Sequence, residues 1–398
     1  MGALALCRRN KPLGCRRSLP QTHQCAGRYG MIRTGFILLV LLFAPLSGCL
    51  STDSITDGCV ITTSSDDKTL TIVTYDIIAL SDEVLQEFTN QTGYSIEMIR
   101  TDDAGGILEQ LLLTKEAPQA DLALGLDNTY LQTALDNCLL APHSATLPDL
   151  DPQALVPYAG NMAVPFDQGY VCLNVDTQAL EENNVSYPTT LEELVNEEWK
   201  GRTAFPSPTT SSPGRAFMTA TIDYFEQQSS MDAMEWWEAM ADNDAIFTSG
   251  WTEAYETHYT GGYGVWGEGH IGDAWLTVSY CHSPGVEAYY GGNYTISSAL
   301  DIDYASFHQV EYAAKVNGGG SQSAVDAFIE FLLSEEININ MPENNLMYSV
   351  LEGQDLPETD GYRYHSPVPT QPSEITTERI DDEMESWLMD WRKATQAL

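Results

Sequence analysis

The chain has 398 residues, of which 43% are apolar, and its formal net charge at pH 7 is −39. This length is sufficient for two or three ordinary domains with sizeable cores. All 57 acidic residues follow residue 49, so the remainder of the chain is strongly acidic and is not expected to bind nucleic acid or anionic lipid. An acidic surface of this kind favours a cationic ligand over an anionic one.

The residues before position 50 have the pattern of an export signal. Arg33 is followed by an apolar run at residues 35–43, and residues 46–49 read Leu-Ser-Gly-Cys. A positive start, a short apolar stretch and small residues before a cleavage point are typical of a secretory signal peptide. The ending resembles a lipoprotein box, which implies a lipid on Cys49 and anchoring to the outer face of the cell membrane. The apolar run is short for a membrane span, so an uncleaved anchor is the less favoured alternative.

We therefore assign residues 31–48 as a lipoprotein signal peptide. Residues 1–30 do not fit a signal, and they are either a genuine extension or the result of a start codon assigned upstream of Met31. Residues 49–67 are mostly small, polar and acidic, which predicts a flexible tether. Export permits disulfides, and four cysteines remain when Cys49 carries a lipid. Three pairings are open among Cys59, Cys138, Cys172 and Cys281.

Strands and helices alternate through residues 68–166, which predicts βαβ units on a mostly parallel sheet. Hydrophobic periodicity and capping residues define each element. In chain order the elements are strand 69–74, a helix from Ser81 to Gly93, strand 94–99, a helix around residues 107–112 and strand 121–126.

The pattern changes in residues 167–277, which we expect to form a second lobe, while residues 278–398 return to the first and form the C-terminal helices. Residues 164–176 contain two β-rich pieces around a predicted turn at 167–169, and residues 190–193 read as a capping box that opens a helix. Later elements are a helix after Pro213, a helix at 231–240 that buries Trp236 and Trp237, a long loop at 256–275, strand 276–280, a helix at 321–333 and a final helix at 380–395.

Six short motifs occur in a characteristic order and spacing. They are residues 74–76 (TYD), 124–128 (LGLDN), 164–170 (VPFDQGY), 210–214 (TSSPG), 250–255 (GWTEAY) and 279–284 (SYCHSP). From about Leu70 to the C-terminus this series resembles the thiamine-binding periplasmic proteins. The resemblance implies an α/β fold of the type II periplasmic-binding-protein class, with two lobes, a hinge and a ligand cleft between the lobes.

The resemblance also implies which residues contact a ligand. A cationic thiazolium linked to a pyrimidine requires aromatic faces, a carboxylate and hydroxyl or amide donors. Asp103 and Ser211 each precede a predicted helix, so an N-cap role is an equally good interpretation of both. The residues that the resemblance assigns to the ligand are Tyr75, Asp103, Ala104, Ser211, Trp251 and Tyr280.

The chain departs from the family pattern at several aromatic positions. Val286 stands where the family has a second stacking tyrosine, and Leu346 stands where it has a tryptophan. Aromatic residues elsewhere could replace these partners. The candidates are Tyr259, Tyr263, Trp266, Trp275 and Tyr289.

By resemblance, the chain is a monomeric binding protein of an ABC importer, with no cofactor, metal or enzymatic activity. It would capture thiamine, a thiamine phosphate or a related cationic heterocycle by lobe closure and deliver it to a permease. An alternative ligand is ferric iron, which related proteins chelate with adjacent tyrosines such as Tyr289 and Tyr290. The sequence contains no G-x-S-x-G, H-E-x-x-H or phosphate-binding loop, so an enzyme is not indicated.

Overall fold

A computed structural model describes residues 52–56, 58–63, 67–228, 231–262 and 270–397. The N-terminal extension, the signal peptide and Cys49 lie outside these residues. The chain divides after Gly48, and the unit described below belongs to residues 49–398. None of the helices in the described ranges is both long and apolar enough to cross a membrane.

The strands are numbered in chain order. They are β1 (Thr52–Thr56), β2 (Cys59–Thr63), β3 (Thr69–Tyr75), β4 (Ser95–Thr101), β5 (Leu122–Asp127), β6 (Val164–Asp176), β7 (Thr203–Pro206), β8 (Ile246–Thr248), β9 (Leu276–Tyr280), β10 (Ser297–Ala299) and β11 (Phe307–Lys315).

The α-helices are numbered in the same way. They are α1 (Asp82–Thr92), α2 (Ala104–Leu113), α3 (Leu131–Asp136), α4 (Thr177–Asn183), α5 (Ser212–Gln228), α6 (Ala233–Asp242), α7 (Ser283–Tyr290), α8 (Gln322–Leu332), α9 (Glu335–Asn338), α10 (Met341–Asn344) and α11 (Thr377–Thr395). A π-helical segment spans Glu253–His258, and short 3-10 helices span Glu192–Val195, Glu197–Trp199, Thr359–Gly361 and Arg363–His365.

One mixed sheet organises the molecule. Its order is β4-β3-β5-β11-β6-β9-β7-β8, and β10 pairs with β6. β3 runs parallel to β4 and β5, while β7 runs parallel to β8 and β9. β6 and β11 are antiparallel to each other and to β9 and β5, respectively. Two parallel sections are therefore joined through two long antiparallel strands.

The first lobe comprises β3, β4 and β5 with helices α1, α2, α3 and α8. Alternate residues of β3 point to opposite faces of the sheet, as strand geometry requires. Ile72 contributes to a core with α1 and α8, where Phe88 and Phe328 meet edge to face at 5.0 Å. Val73 contributes to a second core beneath α2, which includes Ile107. Helices therefore cover both faces of this lobe's sheet.

The second lobe comprises β7, β8 and β9 with helices α5, α6 and α11. The rings of Phe217, Trp236 and Trp237 surround Phe205 of β7, and their centroids lie 5.9, 6.0 and 5.1 Å from that of Phe205, respectively. Trp236 and Trp237 are fully buried, so their predicted core role is confirmed. Burying a large apolar side chain contributes about 1.5–3 kcal/mol, which makes this aromatic cluster a main source of the lobe's stability.

Helix α1 begins and ends where its sequence predicts. The Ser81 hydroxyl accepts a hydrogen bond from the Val84 amide at 3.3 Å, and Gly93 ends the helix at φ 79°.

The capping box predicted at residues 190–193 does not open a long helix, so this prediction is wrong. The Glu193 carboxylate instead accepts from the Thr189 amide, and short 3-10 turns follow.

Strand β6 is continuous, whereas the sequence predicted a turn at residues 167–169. Residues 164–171 pair with β11, and residues 171–175 pair with β9. The backbone around Gly169 is therefore hydrogen-bonded in a ladder, which outweighs the local turn preference of Asp-Gln-Gly.

Two boundary predictions also differ from the structure. Residues 278–398 were predicted to return to the first lobe and form the C-terminal helices, but the last of these helices, α11, packs in the core of the second lobe, where Trp391 lies 6.0 Å from Trp237. Residues 49–67 were predicted to be a tether, but β1 and β2 form an antiparallel hairpin. The disulfide Cys59–Cys138 and a hydrogen bond from the Asn317 side chain to Val60 attach β2 to the first lobe. The second disulfide, Cys172–Cys281, links β6 to the end of β9.

Candidate functional site

A cleft of about 1010 Å³ lies between the two lobes. Its lining residues lie at the carboxyl ends of the parallel strands. Tyr75 and Tyr280 are the last residues of β3 and β9, and Asp103, Thr210 and Trp251 follow β4, β7 and β8. Open α/β sheets bind ligands at this edge, because loops and helix N-termini converge there. The topology therefore gathers these five positions from distant parts of the chain.

Trp251 and Tyr255 form the aromatic wall of the cleft. The two residues are four positions apart in a helical segment, so their side chains lie on one face. Their rings stack with centroids 4.9 Å apart and an interplanar angle of 14°. The Trp251 indole N–H donates to the Ser279 hydroxyl at 2.9 Å, and the Tyr255 hydroxyl donates to the Glu287 carboxylate. Both rings are thus held in place by polar groups behind them.

Tyr75 and Tyr280 lie on either side of Glu311 at the base of the cleft. The Tyr75 hydroxyl donates to Glu311 Oε2 at 2.9 Å. The Gln309 amide donates to Glu311 Oε1 at 3.1 Å and to the Tyr280 hydroxyl at 3.0 Å. Gly125 has φ +101°, and a side chain there would meet the Tyr75 ring at 2.3 Å, so glycine is required for this ring position.

A second carboxylate lies behind Glu311. Asp167 is the cross-strand partner of Glu311, and its Oδ2 accepts a hydrogen bond from the Asn345 amide at 2.7 Å. Burial is the main reason that the pKa of Glu311 is raised well above its usual range, and the negative charge of the nearby Asp167 raises it further. Burial raises the pKa of Asp167 to about 8. A cation in the cleft would supply the positive charge that this pair lacks among the described residues.

The charged side chains among the described cleft residues are all acidic. Among the described lining residues there are six carboxylates and no Lys or Arg. The six carboxylates are Asp102, Asp103, Glu109, Glu253, Glu256 and Glu311. Such a lining attracts positive groups and repels negative ones.

His282 is neutral and presents an acceptor. Its Nε2 lies 2.6 Å from the Leu346 carbonyl, which can only accept, so Nε2 carries the hydrogen. Nδ1 is buried and has no hydrogen-bond partner in the described part of the chain. Burial lowers the pKa of His282 to about 4, so the ring is uncharged at neutral pH. A ligand N–H group could satisfy this nitrogen.

Asp103 connects the N-termini of two helices across the cleft. Its Oδ1 accepts from the Ala104 amide at 2.7 Å and from the Ser212 hydroxyl at 2.5 Å, and its Oδ2 accepts from the Ser212 amide at 2.9 Å. Ala104 begins α2 of the first lobe, and Ser212 begins α5 of the second. Burial raises the pKa of Asp103, and these hydrogen bonds oppose that shift.

Four of the six predicted ligand residues line the cleft, namely Tyr75, Asp103, Trp251 and Tyr280. Ala104 and Ser211 are not among the lining residues, and both are buried. The Ser211 hydroxyl accepts from the Gly214 amide at 3.4 Å, so it satisfies the start of α5, and the neighbouring Thr210 and Ser212 face the cleft.

Sequence reasoning missed Glu311, His282 and Asn345. The first lies in β11, a strand that was not predicted, although a glutamate in the apolar run VEYAA is a recognisable signal of a buried charge. Val286 and Leu346 do line the cleft at the family's aromatic positions. The second aromatic ring of the cleft wall, beside Trp251, is Tyr255, which was not among the proposed replacements.

The proposed aromatic replacements lie elsewhere. Tyr259 is fully buried, and Trp275 packs under the Arg202 guanidinium at 4.7 Å. Tyr263 and Trp266 lie outside the described residues.

The tyrosine pair that suggested iron is outside the cleft. Tyr290 is 62% exposed, and Tyr289 packs against Tyr362 with ring centroids 5.7 Å apart. Over the ranges that the structure describes, no group of three or more His, Cys, Asp or Glu side chains could hold a metal ion.

Comparisons with known proteins agree with this architecture. Residues 83–343 match the family model described as bacterial extracellular solute-binding protein. The thiamine-binding periplasmic proteins of Salmonella typhimurium and Haemophilus influenzae are each 26% identical to this chain. The first alignment covers 82% of this chain and 93% of the relative, and the second covers 73% and 80%.

A solved structure of a periplasmic thiamin-binding protein superposes with a TM-score of 0.68 at 25% identity, over 82% of this chain and 96% of that one. The predicted two-lobed α/β fold is therefore confirmed. Proteins of this kind bind solutes outside the cytoplasm and are not enzymes. With a matching family model over most of its folded part and a ligand cleft between two lobes, the chain belongs to the bacterial extracellular solute-binding proteins.

Proposed function

We propose that this protein captures thiamine or a closely related cationic heterocycle for an ABC importer. The observation that carries the proposal is the position of Glu311 between Tyr75 and Tyr280, in the cleft that the stacked rings of Trp251 and Tyr255 also line. A buried carboxylate among aromatic faces suits a flat cation, because electrostatic and cation–π attraction act together there. The names of the curated relatives support thiamine as the first candidate.

The proposed roles follow from these contacts. Trp251 stacks on a ligand ring, Tyr75 and Tyr280 flank the cation, and Asp103 brings the two lobes together. Ligand would favour the closed arrangement through contacts with both lobes, and the closed protein would then dock on a permease as a monomer. Ferric iron receives no support from the positions of Tyr289 and Tyr290.

Titration of the purified protein tests this function. We expect thiamine to bind with a one-to-one stoichiometry in calorimetry and to quench tryptophan fluorescence, while ferric iron produces no visible absorption band. Trp251→Ala should weaken thiamine binding by roughly tenfold or more, since a desolvated cation–π contact is worth about 2 kcal/mol.

Tyr290→Ala provides the matched control, because Tyr290 is an exposed aromatic outside the cleft. This variant should bind thiamine as the unmodified protein does. Equal thiamine affinity in Trp251→Ala and the unmodified protein, with circular dichroism unchanged, would contradict the site. A complete absence of thiamine binding by the unmodified protein would contradict the function.

We also propose that Cys49 carries the lipid and holds the protein at the outer face of the membrane. The proposal rests on the Leu-Ser-Gly-Cys ending and the preceding apolar run. Mass spectrometry of the N-terminal peptide from the membrane fraction should show a diacylglyceryl group on Cys49, and Cys49→Ala should release the protein from that fraction. An unmodified Cys49 would disprove the anchor and leave the binding function standing.

A further inference from the structure

Strand β2 is attached to the first lobe at several points and is not part of a loose tether. Cys59 forms a disulfide with Cys138. The Thr62 amide donates to Asn317 Oδ1 at 2.9 Å, and the Gly318 amide donates to the Thr62 carbonyl at 3.1 Å. A covalent link and these hydrogen bonds therefore hold β2 against the loop that follows β11.

The pairing of β1 with β2 limits how far this loop can lie from a lipid on Cys49. Thr52 is the register partner of Thr63, the neighbour of Thr62. Cys49 precedes Thr52 by three residues, which span at most about 11 Å when extended. A lipid on Cys49 would therefore keep the hairpin and residues 317–318 close to the bilayer surface.

The loop at residues 317–318 and the cleft lie at opposite edges of the first lobe. β11 runs antiparallel to β5, with Lys315 opposite Leu122, so the loop after β11 lies at the amino end of β5. β3 is parallel to β5, and the cleft lies at the carboxyl ends of these strands. The seven residues of β3 span about 23 Å. We call the edge at the amino ends of β3 and β5 the amino edge.

Exposed apolar side chains occur at the amino edge. Helix α2 begins beside the cleft and ends at this edge with Leu113, which is 83% exposed, the largest fraction among the large apolar side chains of the described residues. The chain then reaches Pro118, whose ring a side chain at Gly318 would meet at 3.1 Å. Val60 of β2 is 55% exposed. Apolar side chains next to a lipid anchor suit the boundary between headgroups and acyl chains.

We propose that the amino edge, formed by the β1–β2 hairpin, residues 113–118 and residues 317–320, lies against the lipid bilayer while the protein is free of its permease. The cleft then faces the medium from which solute arrives. The inference rests on the proposed lipid at Cys49 and does not depend on which solute is bound. The acidic charge of the chain disfavours anionic lipid, so we expect contact with neutral headgroups.

Energy transfer from the protein to the bilayer tests this orientation. The lipidated protein is placed on phosphatidylcholine vesicles that carry an acceptor dye on a headgroup. A donor dye is attached to Glu116→Cys at the amino edge or to Asp76→Cys, just after β3, and both positions are exposed. The donor at residue 116 should lie about 20 Å closer to the acceptor surface than the donor at residue 76, because the length of β3 separates the two edges.

A longer tether provides the matched control. A flexible Gly-Ser insert of about 15 residues between Ser51 and Thr52 leaves the disulfide and the hairpin contacts in place, and its ends lie about 20 Å apart on average. The difference between the two donor positions should then shrink by at least half. Circular dichroism checks that the protein with the insert is folded.

Hydrogen exchange gives a second measurement without a label. Amides of residues 113–118 should exchange at least threefold more slowly in the vesicle-bound protein than in the released Cys49→Ala variant. Residues 249–255 of the cleft should exchange equally in both.

The outcomes separate this inference from the proposals on which it rests. Equal distances at the two donor positions would overturn the orientation, and so would a difference that survives the insert. Slower exchange confined to residues 249–255 would place the cleft on the bilayer and also overturn it. Failure of the protein to associate with vesicles would overturn the lipid anchor itself. Thiamine capture would stand in each case, because calorimetry in solution tests it separately.

Discussion

Glu311 is the charged side chain on which cation recognition depends. It is buried at the base of the cleft, where the Tyr75 hydroxyl and the Gln309 amide are its hydrogen-bond donors. Neither donor carries a positive charge, so the carboxylate is stabilised less than it would be in an ion pair. A bound cation would complete the pair and lower the pKa of Glu311.

Glu311→Gln should weaken thiamine binding by roughly 10- to 100-fold, because a hydrogen bond or contact to a charged partner is worth about 1.5–3 kcal/mol. Affinity in the unmodified protein should also rise with pH, since the cation favours the ionised carboxylate. Calorimetry at several pH values measures both effects. An affinity that does not change with this substitution would place the cation elsewhere, and Glu109→Gln serves as the control for a general loss of charge.

Glu287 supports the aromatic wall and makes the stability of the protein depend on pH. It accepts hydrogen bonds from Tyr255, Thr295 and Ser297, and burial raises its pKa to about 7 from the usual 4.5. A raised pKa favours the protonated form in the folded protein. The stability that this group contributes is therefore complete below pH 4.5 and is lost as the pH rises through 7.

Glu287→Gln should remove that pH dependence. Relative to the unmodified protein, the variant should gain on the order of 3 kcal/mol between pH 4.5 and pH 8, since one pKa unit corresponds to about 1.4 kcal/mol. Urea unfolding at the two pH values gives the difference in free energy of unfolding. A difference that stays constant with pH would show that Glu287 does not titrate in this range.

At the scale of elements, the two disulfides have different positions relative to the cleft. Cys281 lies between Tyr280 and His282, both of which line the cleft, and it is tied to Cys172 in β6. Cys59 ties the hairpin of β1 and β2 to Cys138 in the first lobe. The Cys172–Cys281 disulfide therefore supports the binding residues, and the Cys59–Cys138 disulfide holds the hairpin against the first lobe.

Replacing either pair by serine should lower the free energy of unfolding by about 2–5 kcal/mol, the usual cost of removing a native disulfide. Only the pair Cys172→Ser and Cys281→Ser should also weaken thiamine binding, because Tyr280 and His282 then lose their fixed backbone. The pair Cys59→Ser and Cys138→Ser is the matched control. Equal effects of the two pairs on affinity would contradict this assignment.

At the scale of the whole molecule, the cleft is formed by loops from both lobes. Thiamine at 100 times its dissociation constant should stabilise the protein by about 2.7 kcal/mol if it binds only the folded state. Hydrogen exchange should slow together at residues 101–106 of the first lobe and at residues 209–212 and 249–255 of the second. Protection confined to one lobe would argue against closure.

Local sequence signals predicted a substantial part of this molecule. The cap at Ser81 and the stop at Gly93 define α1 correctly, because both act through neighbouring backbone groups. The ordered motifs led to the fold and to Tyr75, Trp251 and Tyr280 in the cleft. The capping box at residues 190–193 failed because short-range chemistry alone does not fix helix length.

Residue order and composition were enough to predict the alternation of strands and helices, the acidic character and the family. The tertiary structure was needed to establish which cysteines pair, that α11 completes the second lobe, and that Asp103 meets Ser212. It also placed Glu311 beside Tyr75, 236 positions away. Such contacts depend on sheet order and lobe packing, and no local periodicity records them.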